Sequence, residues 1–187
     1  MWVASHSITM PPHTILMLSG WAGSGKDAAA TLLCEEFGFQ RTAFADALKE
    51  DVAAATGIPV ALFHDAAAKD YPLEGATPRS LLIQHALAAR ATDPDIYSRR
   101  VAELLVGSQD QKTVISDWRY PREYEYLQRA LPDAKILRVR IVRPTVTQRN
   151  TDSEMALDGE PMDFVIHNDA GVAALRDSLK GLTSTLC

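Results

Sequence analysis

The sequence is poor in cysteine, in aromatic residues and in long apolar segments. Its 187 residues include two cysteines, Cys34 and Cys187, and aromatic residues make up 7%. Two cysteines in such different settings give no disulfide framework, so we expect a reducing compartment, the cytoplasm. No apolar run approaches the roughly 20 residues needed to cross a bilayer. Residues 1–12 lack the basic start and apolar run of a signal peptide, so we expect no membrane partner and a flexible tail over residues 1–13.

Positive charge is also scarce, because 19 Lys and Arg residues face 24 Asp and Glu residues, for a formal net charge of -5. No global field therefore draws the chain onto nucleic acid or an anionic membrane, and we expect no nucleic-acid partner. Phosphate binding must come from local clusters of charge. Apolar residues make up 47% and charged residues 23%, an ordinary balance for a globular chain. With no repeat and no internal linker, we predict one domain over residues 14–187.

Strand and helix patterns alternate along this domain. We predict strands at Thr14–Gly20, Gln40–Phe44, 112–116, 135–142 and 162–168, and helices at 26–37, 47–57, 77–89, 93–105, 121–131 and 169–182. Thr77 with Pro78 and Asp93 with Pro94 would open two of the helices, and Leu104 and Val172 would face inward. Residues 58–76 and 143–161 show no sustained period. The alternation predicts an α/β fold with a central five-stranded parallel sheet flanked by helices in three layers.

The stretch GWAGSGKD has the G-x-x-x-x-G-K spacing of a phosphate-binding loop, and it joins a predicted strand to a predicted helix. Its glycines let the backbone turn tightly and bring several N–H groups onto one anion. The residues expected to bind phosphate are Gly20, Ala22, Gly23, Ser24, Gly25 and Lys26. The next position usually holds Ser or Thr, but here it holds Asp27. This carboxylate is either a first-turn acid favoured by the helix dipole or a partner of magnesium.

The stretch SDWR ends the predicted strand at 112–116, on the rim where ligands bind in open α/β sheets. There Asp117 is expected to hold magnesium or its water shell, and Arg119 to hold a phosphate with two hydrogen bonds. The alternative is an ion pair between the two on the rim. Glu123 is expected to orient Arg119 and to belong to the substrate site, or else to face solvent.

Four further polar residues are candidates for the site. Asp46 follows the second strand as a helix cap or a site residue, and Lys49 lies one turn further on, within reach of an acceptor phosphate or in solvent. Arg79, in the first turn of its helix, faces either solvent or the site. Gln84 is polar on an apolar helix, as a base-binding amide or as a hydrogen-bonded core residue.

Arg143 and Arg149 flank the aperiodic segment 143–161. They belong either to a charged surface turn or to a mobile lid that carries positive charge over a phosphate and excludes water.

Taken together, these motifs resemble the deoxynucleoside monophosphate kinases of bacteriophages, within the nucleoside monophosphate kinase fold. The resemblance runs from about Ile15 to Leu182 and rests on SGKD, FADALKE, TPRSLL, ISDWRYPRE, the RP after the fourth strand, DSE and VIHNDAG. In that family, and in animal-type phosphomevalonate kinases, an Asp after the loop lysine is usual. The resemblance implies that Asn168, Asp169 and Gly171 form the loop beside the donor adenine.

The function that the resemblance implies is ATP- and Mg²⁺-dependent phosphorylation of a deoxynucleoside 5′-monophosphate to the diphosphate. The partners would be small nucleotides, in the host cytoplasm if the protein is viral, and a homodimer is compatible with these features. Two alternatives stay open. One is another small-molecule kinase of the same fold, with phosphomevalonate or dephospho-coenzyme A as acceptor; the other is a nucleotide-binding regulator without turnover.

Overall fold

The centre of the molecule is a five-stranded sheet in which all strands run parallel, in the order β2-β3-β1-β4-β5. The computed structural model describes residues 13–108, 111–146 and 155–186. The strands are β1 (Thr14–Ser19), β2 (Gln40–Thr42), β3 (Lys112–Ile115), β4 (Lys135–Val142) and β5 (Phe164–His167). The predicted fold class, an α/β fold around a five-stranded parallel sheet, is confirmed.

The order of the strands reverses at β1. The chain leaves β1 for the edge strand β2, returns through β3 on one side of β1, and then crosses to β4 on the other side. Leu16 of β1 consequently lies opposite both Val114 of β3 and Leu137 of β4. Ligands of open α/β sheets bind beyond the carboxyl ends of the strands at such a reversal, which here is the position of Gly20.

Helices cover both faces of the sheet. They are α1 (Lys26–Phe37), α2 (Phe44–Thr56), α3 (Val60–His64), α4 (Pro78–Thr92), α5 (Ile96–Val106), α6 (Pro121–Ala130) and α7 (Gly171–Ser184). The predicted start of α4 is confirmed, because the Thr77 hydroxyl accepts a hydrogen bond from the Ser80 N–H and the Ser80 hydroxyl accepts one from the Thr77 N–H. Pro78 occupies the first turn, where its missing N–H costs nothing.

The alternation of side chains along β1 builds two cores. Ile15 and Met17 pack on one face of the sheet with residues of α2–α6, whereas Leu16 and Leu18 pack on the other with residues of α1 and α7. All four side chains are fully buried. The two cores fix β1 from both sides, so the loop that follows it starts from a rigid point.

Several details of the predicted elements were wrong. Within the segment predicted to be irregular, residues 60–64 form the short helix α3. Helix α5 begins after Asp95, not at Asp93, because Asp93 ends α4 and its carboxylate accepts the Asp95 N–H at 3.0 Å. Leu104 and Val172 are 59% and 58% exposed, so neither faces inward.

Two predicted segments lie wholly or partly outside the described residues. They are the tail at 1–13, of which His13 alone is described, and the lid at 143–161, of which residues 147–154 are not. Within residues 13–108, 111–146 and 155–186, no helix is both long and apolar enough to span a membrane.

Candidate active site

The loop between β1 and α1 has the backbone of an anion cradle. Gly20, Gly23 and Gly25 all have positive φ angles, of 138°, 83° and 105°. A Cβ atom on Gly20 would collide with the carbonyl oxygen of Ile141 in β4. Glycine is therefore required at this point both by backbone conformation and by the close approach of the neighbouring strand.

Asn168, just beyond β5, holds the second half of this loop. Its side-chain amide donates a 2.9 Å hydrogen bond to the Ser24 carbonyl, and its backbone N–H donates to the Val142 carbonyl at 2.8 Å. Asn168 is 9% exposed and packs so closely that a Cβ on Gly25 would collide with its amide nitrogen. The end of the last strand thus fixes the phosphate loop, a contact that sequence reasoning did not anticipate.

The other two residues expected beside the donor adenine lie next to Asn168. Asp169 is exposed, and Gly171 opens α7 with a φ of 86°. They occupy the surface where the loop after β5 meets α7, adjacent to the phosphate loop.

Lys26 and Asp27 begin α1. The Lys26 ammonium donates hydrogen bonds to the carbonyls of Gly20 at 2.5 Å and Trp21 at 3.0 Å, so it lies across the loop. Asp27 is exposed in the first turn of the helix. That position agrees with its interpretation as a first-turn acid and leaves its carboxylate accessible to a cation.

The loop fits a polar ligand. The Ser24 hydroxyl is buried and, among the described residues, has no hydrogen-bond partner, although a buried polar group without one costs stability. Within the same residues, no group of three or more His, Cys, Asp or Glu side chains is placed to hold a metal ion.

Asp117 connects the rim of β3 to the start of α2. Its two carboxylate oxygens accept the N–H groups of Phe44 and Ala45, each at 2.8 Å. Burial raises the pKa of Asp117, and these two hydrogen bonds oppose that rise. Both oxygens are thus engaged by backbone amides, and the predicted role of Asp117 in holding magnesium or its water shell stays a prediction.

Glu123 holds the turn that carries Arg119. Its Oε2 atom accepts the N–H groups of Arg119 at 3.0 Å and Tyr120 at 3.1 Å. Glu123 is 6% exposed, so the alternative in which it faces solvent does not hold. Burial raises the pKa of Glu123 to about 7, while the Arg119 amide opposes that rise. The Arg119 side chain itself is exposed beyond this fixed turn.

Three cationic residues line one cavity of about 50 Å³ above the loop, together with Trp118 and Leu157. They are Lys26 at the start of α1, Arg119 after β3 and Arg140 in β4. Arg140 also binds the Asp158 carboxylate and donates to the Leu157 carbonyl at 3.2 Å. Positive charge from three separate elements thus converges at the carboxyl ends of β1, β3 and β4.

Sequence reasoning did not include Arg140 in the site. The sequence of β4 does indicate that Arg138 and Arg140 share one face of the strand, because side chains alternate between the two faces, and that face is predicted to contact water or a polar site. Only the position of Arg140 one strand away from Gly20 shows which of the two arginines reaches the phosphate loop. Arg138 instead forms a two-bond ion pair with Asp163.

Asp46 and Lys49 lie together in α2. The Asp46 carboxylate is 2.9 Å from Arg41 and 3.4 Å from the Lys49 ammonium, which also lies 3.3 Å from His64. The two predicted acceptor residues therefore belong to one charged group at the start of α2, beside the amides that bind Asp117.

The remaining predicted residues lie away from this cavity or outside the described chain. Arg79 is exposed and forms a two-bond ion pair with Asp70, and Gln84 is exposed on α4. Arg143 is exposed just after β4, at the edge of the loop region. Arg149 lies outside the described residues, so its predicted place in a lid stays a prediction.

No family model and no curated protein matches the chain. Among solved structures, the protein TT1252 from Thermus thermophilus is 18% identical, with a TM-score of 0.53 over 95% of this chain and 100% of that chain. The APS kinase CysC from Mycobacterium tuberculosis is 15% identical, with a TM-score of 0.51 over 94% of this chain and 99% of that chain. At these identities the likeness concerns the fold, and the chain has the P-loop kinase fold with an all-parallel five-stranded sheet.

Proposed function

We propose that the protein is a kinase that transfers the γ-phosphoryl group of MgATP to the phosphate of a deoxynucleoside monophosphate. The observation that carries this proposal is the convergence of Lys26, Arg119 and Arg140 on one cavity above a glycine-rich loop. Phosphoryl transfer spreads negative charge over the equatorial oxygens of the transferred group, and positioned cations stabilise that charge.

The donor site is built on the phosphate loop. The backbone N–H groups between Gly20 and Lys26 bind the triphosphate, and Lys26 exchanges its contacts with two loop carbonyls for contacts with the outer phosphates. Asp27 is exposed at the base of α1, within reach of the magnesium that the nucleotide brings. Asn168, Asp169 and Gly171 form the edge of the loop on the side proposed for the adenine.

The acceptor lies on the side of β3 and α2. Arg119 binds the acceptor phosphate, and Lys49 with Asp46 completes that side of the pocket. Asp117 fixes the start of α2 through two amide hydrogen bonds, so it positions these residues relative to the loop. An oxygen of the acceptor phosphate attacks the γ-phosphorus in line, the bond from that phosphorus to the β,γ-bridging oxygen breaks, and ADP leaves.

The arginines after β4 complete the charge around the transferred group. Arg143 and Arg149 belong to the proposed lid over 143–161, which excludes water when both substrates are bound. Arg140 is tied to Leu157 and Asp158, so the part of that segment beyond residue 154 already lies against the cavity. Exclusion of water prevents transfer of the phosphoryl group to water instead of to the acceptor.

A coupled assay of ADP release over a panel of acceptors tests this proposal. The panel contains the four common deoxynucleoside monophosphates, phosphomevalonate and dephospho-coenzyme A, with MgATP as donor. We expect turnover with at least one deoxynucleoside monophosphate and none with the other two acceptors. Turnover with phosphomevalonate or dephospho-coenzyme A alone would assign a different acceptor. Tight ATP binding without ADP release over the whole panel would identify a nucleotide-binding regulator instead.

A further inference from the structure

A second and larger cavity, of about 170 Å³, lies among α4, α5 and α6. We call it the α4–α6 cavity. Its walls include the side chains of Tyr97, Tyr120 and Pro94, and the small side chain of Ser98. Tyr97 and Ser98 are only 2% and 3% exposed, whereas Pro94 is exposed. The cavity therefore reaches from the surface into the packing between helices, with two aromatic residues among its walls.

A carboxylate and a guanidinium lie side by side in this cavity. The Oε2 atom of Glu123 is engaged by two backbone amides, but its Oε1 atom lies 3.6 Å from the nearest Arg90 nitrogen, beyond hydrogen-bond distance. The Arg90 guanidinium lies 5.4 Å from the Tyr97 ring centre and 5.0 Å from that of Tyr120. The α4–α6 cavity thus places a carboxylate oxygen, which accepts, beside the donors of the Arg90 guanidinium, with which it forms a long ion pair.

The α4–α6 cavity and the cavity above the phosphate loop adjoin the same turn. Arg119 lines the phosphate cavity, and the next residue, Tyr120, lines the α4–α6 cavity. The Glu123 carboxylate joins the two, because it lines the α4–α6 cavity and also accepts the Arg119 N–H. Consecutive residues of one turn, which Glu123 holds, therefore line the two cavities.

We propose that the α4–α6 cavity binds the base of the acceptor nucleotide, and that this base is a single-ring pyrimidine with an amino group, of the cytosine type. This inference rests on the proposed function. A cavity of 150 Å³ holds one benzene ring, so about 170 Å³ is enough for one six-membered ring. Tyr97 and Tyr120 give the cavity aromatic walls.

The polar groups of the cavity determine which pyrimidine binds more tightly. Carboxylates accept from the N4 amino group of cytosine, and the Glu123 Oε1 atom is placed to do so. Arg90 then donates to the ring N3 atom beside that amino group. Thymine presents an oxygen where cytosine has the amino group, and this oxygen would face the carboxylate. The cavity should therefore bind dCMP more tightly than dTMP.

Calorimetric titration of the protein with dCMP, dTMP, dAMP and dGMP tests the proposal. The titrations are made at pH 8, because burial raises the pKa of Glu123 to about 7 and its carboxylate must be ionised to accept. We expect dCMP to bind about tenfold more tightly than dTMP and dGMP, which present an oxygen to the carboxylate. Because dAMP also carries an amino group beside a ring acceptor, equal binding of dAMP and dCMP would overturn the choice of a single-ring base. Equal affinities for the four nucleotides would overturn the assignment of the base.

The variant Glu123→Gln separates recognition by this side chain from packing. Its amide oxygen replaces Oε2 as the acceptor of the Arg119 and Tyr120 amides, so its NH₂ group takes the place of Oε1. The acceptor in the cavity becomes a donor that opposes the N4 amino group, so we expect dCMP to lose its advantage over dTMP, whose N3–H still faces the Arg90 guanidinium. A variant that keeps the dCMP preference would contradict contact between Glu123 and the base. Glu125→Gln, at an exposed position of the same helix, serves as the control.

Filling the cavity tests the location independently. Ser98→Leu places a larger side chain in the cavity, and we expect it to weaken dCMP binding at least tenfold while affinity for ATP stays unchanged. Ser178→Leu, at an exposed position of α7, is the matched control, and melting temperatures show whether each variant folds. If Ser98→Leu does not fold, the Glu123→Gln titration decides alone.

The two proposals fail in different ways. Absence of ADP release with every deoxynucleoside monophosphate would remove the proposed function, even if dCMP binds and Ser98→Leu abolishes that binding. Normal turnover of deoxynucleoside monophosphates, with no effect of Ser98→Leu or Glu123→Gln on their affinity or KM, would keep the function and overturn the base site.

Discussion

Replacing Glu123 with Gln measures what a buried carboxyl group costs this fold. Removal from water raises the pKa of Glu123 from 4.5 to about 7, with the nearby Asp117 adding to the rise and Arg90 opposing it. Between these two values the folded chain holds a proton that the unfolded chain has released, so stability falls as the pH rises. A difference of about 2.5 in pKa corresponds to about 3 kcal/mol lost between pH 4.5 and pH 7. That is a large part of the 5–15 kcal/mol by which native proteins are usually stable.

The variant keeps the shape and removes the titration. Its amide oxygen still accepts the two N–H groups that Glu123 accepts, but no charge is buried at high pH. We therefore expect urea unfolding to give similar stabilities for parent and variant at pH 5, and a variant more stable by about 3 kcal/mol at pH 8. The carboxyl groups of Asp93, Asp95 and Asp163, whose pKa values are lowered by arginine partners, titrate below this window.

Groups that do not interact with Glu123 contribute equally to both proteins, so the difference between the two curves reports Glu123 together with its coupling to Asp117. Glu125→Gln, a change of the same charge at an exposed site on α6, should give a curve parallel to that of the parent. If the curves of the parent and Glu123→Gln also stay parallel from pH 5 to pH 8, the carboxyl group is not desolvated in the way its burial indicates.

Three further predictions concern the phosphate loop. Lys26→Ala should lower turnover by orders of magnitude and leave the circular dichroism spectrum unchanged, because Lys26 supplies charge to the transferred group; near-normal turnover would remove it from the mechanism. Asp27→Ser should keep kinase activity and, in the presence of chelator, bind ATP more tightly than the parent, because a carboxylate repels metal-free triphosphate by a few kcal/mol at an effective dielectric near 20. Equal affinities of parent and variant in calorimetry would leave Asp27 only the role of an acid in the first helical turn. Gly25→Ala should abolish ATP binding, because its Cβ would collide with Asn168. Gly38→Ala is the control: Gly38 also has a positive φ angle but has open space around it, so this variant should bind ATP normally and lose about 1 kcal/mol of stability.

Most of the fold could be predicted from the sequence because local signals agree with the tertiary structure. The run at 14–20 is apolar at every position from Ile15 to Leu18, and so short a run that ends in glycine is typical of a strand buried on both faces. The start of α4 follows from Thr77 and Pro78, whose capping and backbone preferences act within one turn. Asp93 led to a wrong prediction for the start of α5 because its local signal is ambiguous. Its carboxylate accepts a hydrogen bond from the N–H two residues on, as a cap does, but Asp93 ends α4.

The site was less predictable because its decisive contacts join distant parts of the chain. The loop GWAGSGKD carries its own signature, so Gly20–Asp27 could be recognised as a phosphate cradle. Nothing local indicates that both oxygens of Asp117 bind the start of α2, or that Arg140 rather than Arg138 reaches the cavity. Those roles depend on the strand order and on which strand lies beside β1, and a single sequence does not contain that information explicitly.

The hydrogen bond from Asn168 to the Ser24 carbonyl has a consequence for the order of events during synthesis. The two residues are 144 positions apart. At about 5–20 residues per second, the ribosome makes Asn168 about 7 to 30 s after Ser24. Until then the phosphate loop lacks the hydrogen bond from Asn168, although the residues of β1 and α1 have already been made. We therefore expect nascent chains to acquire ATP affinity only when β5 has emerged, so that ATP binding reports the addition of β5 to the sheet.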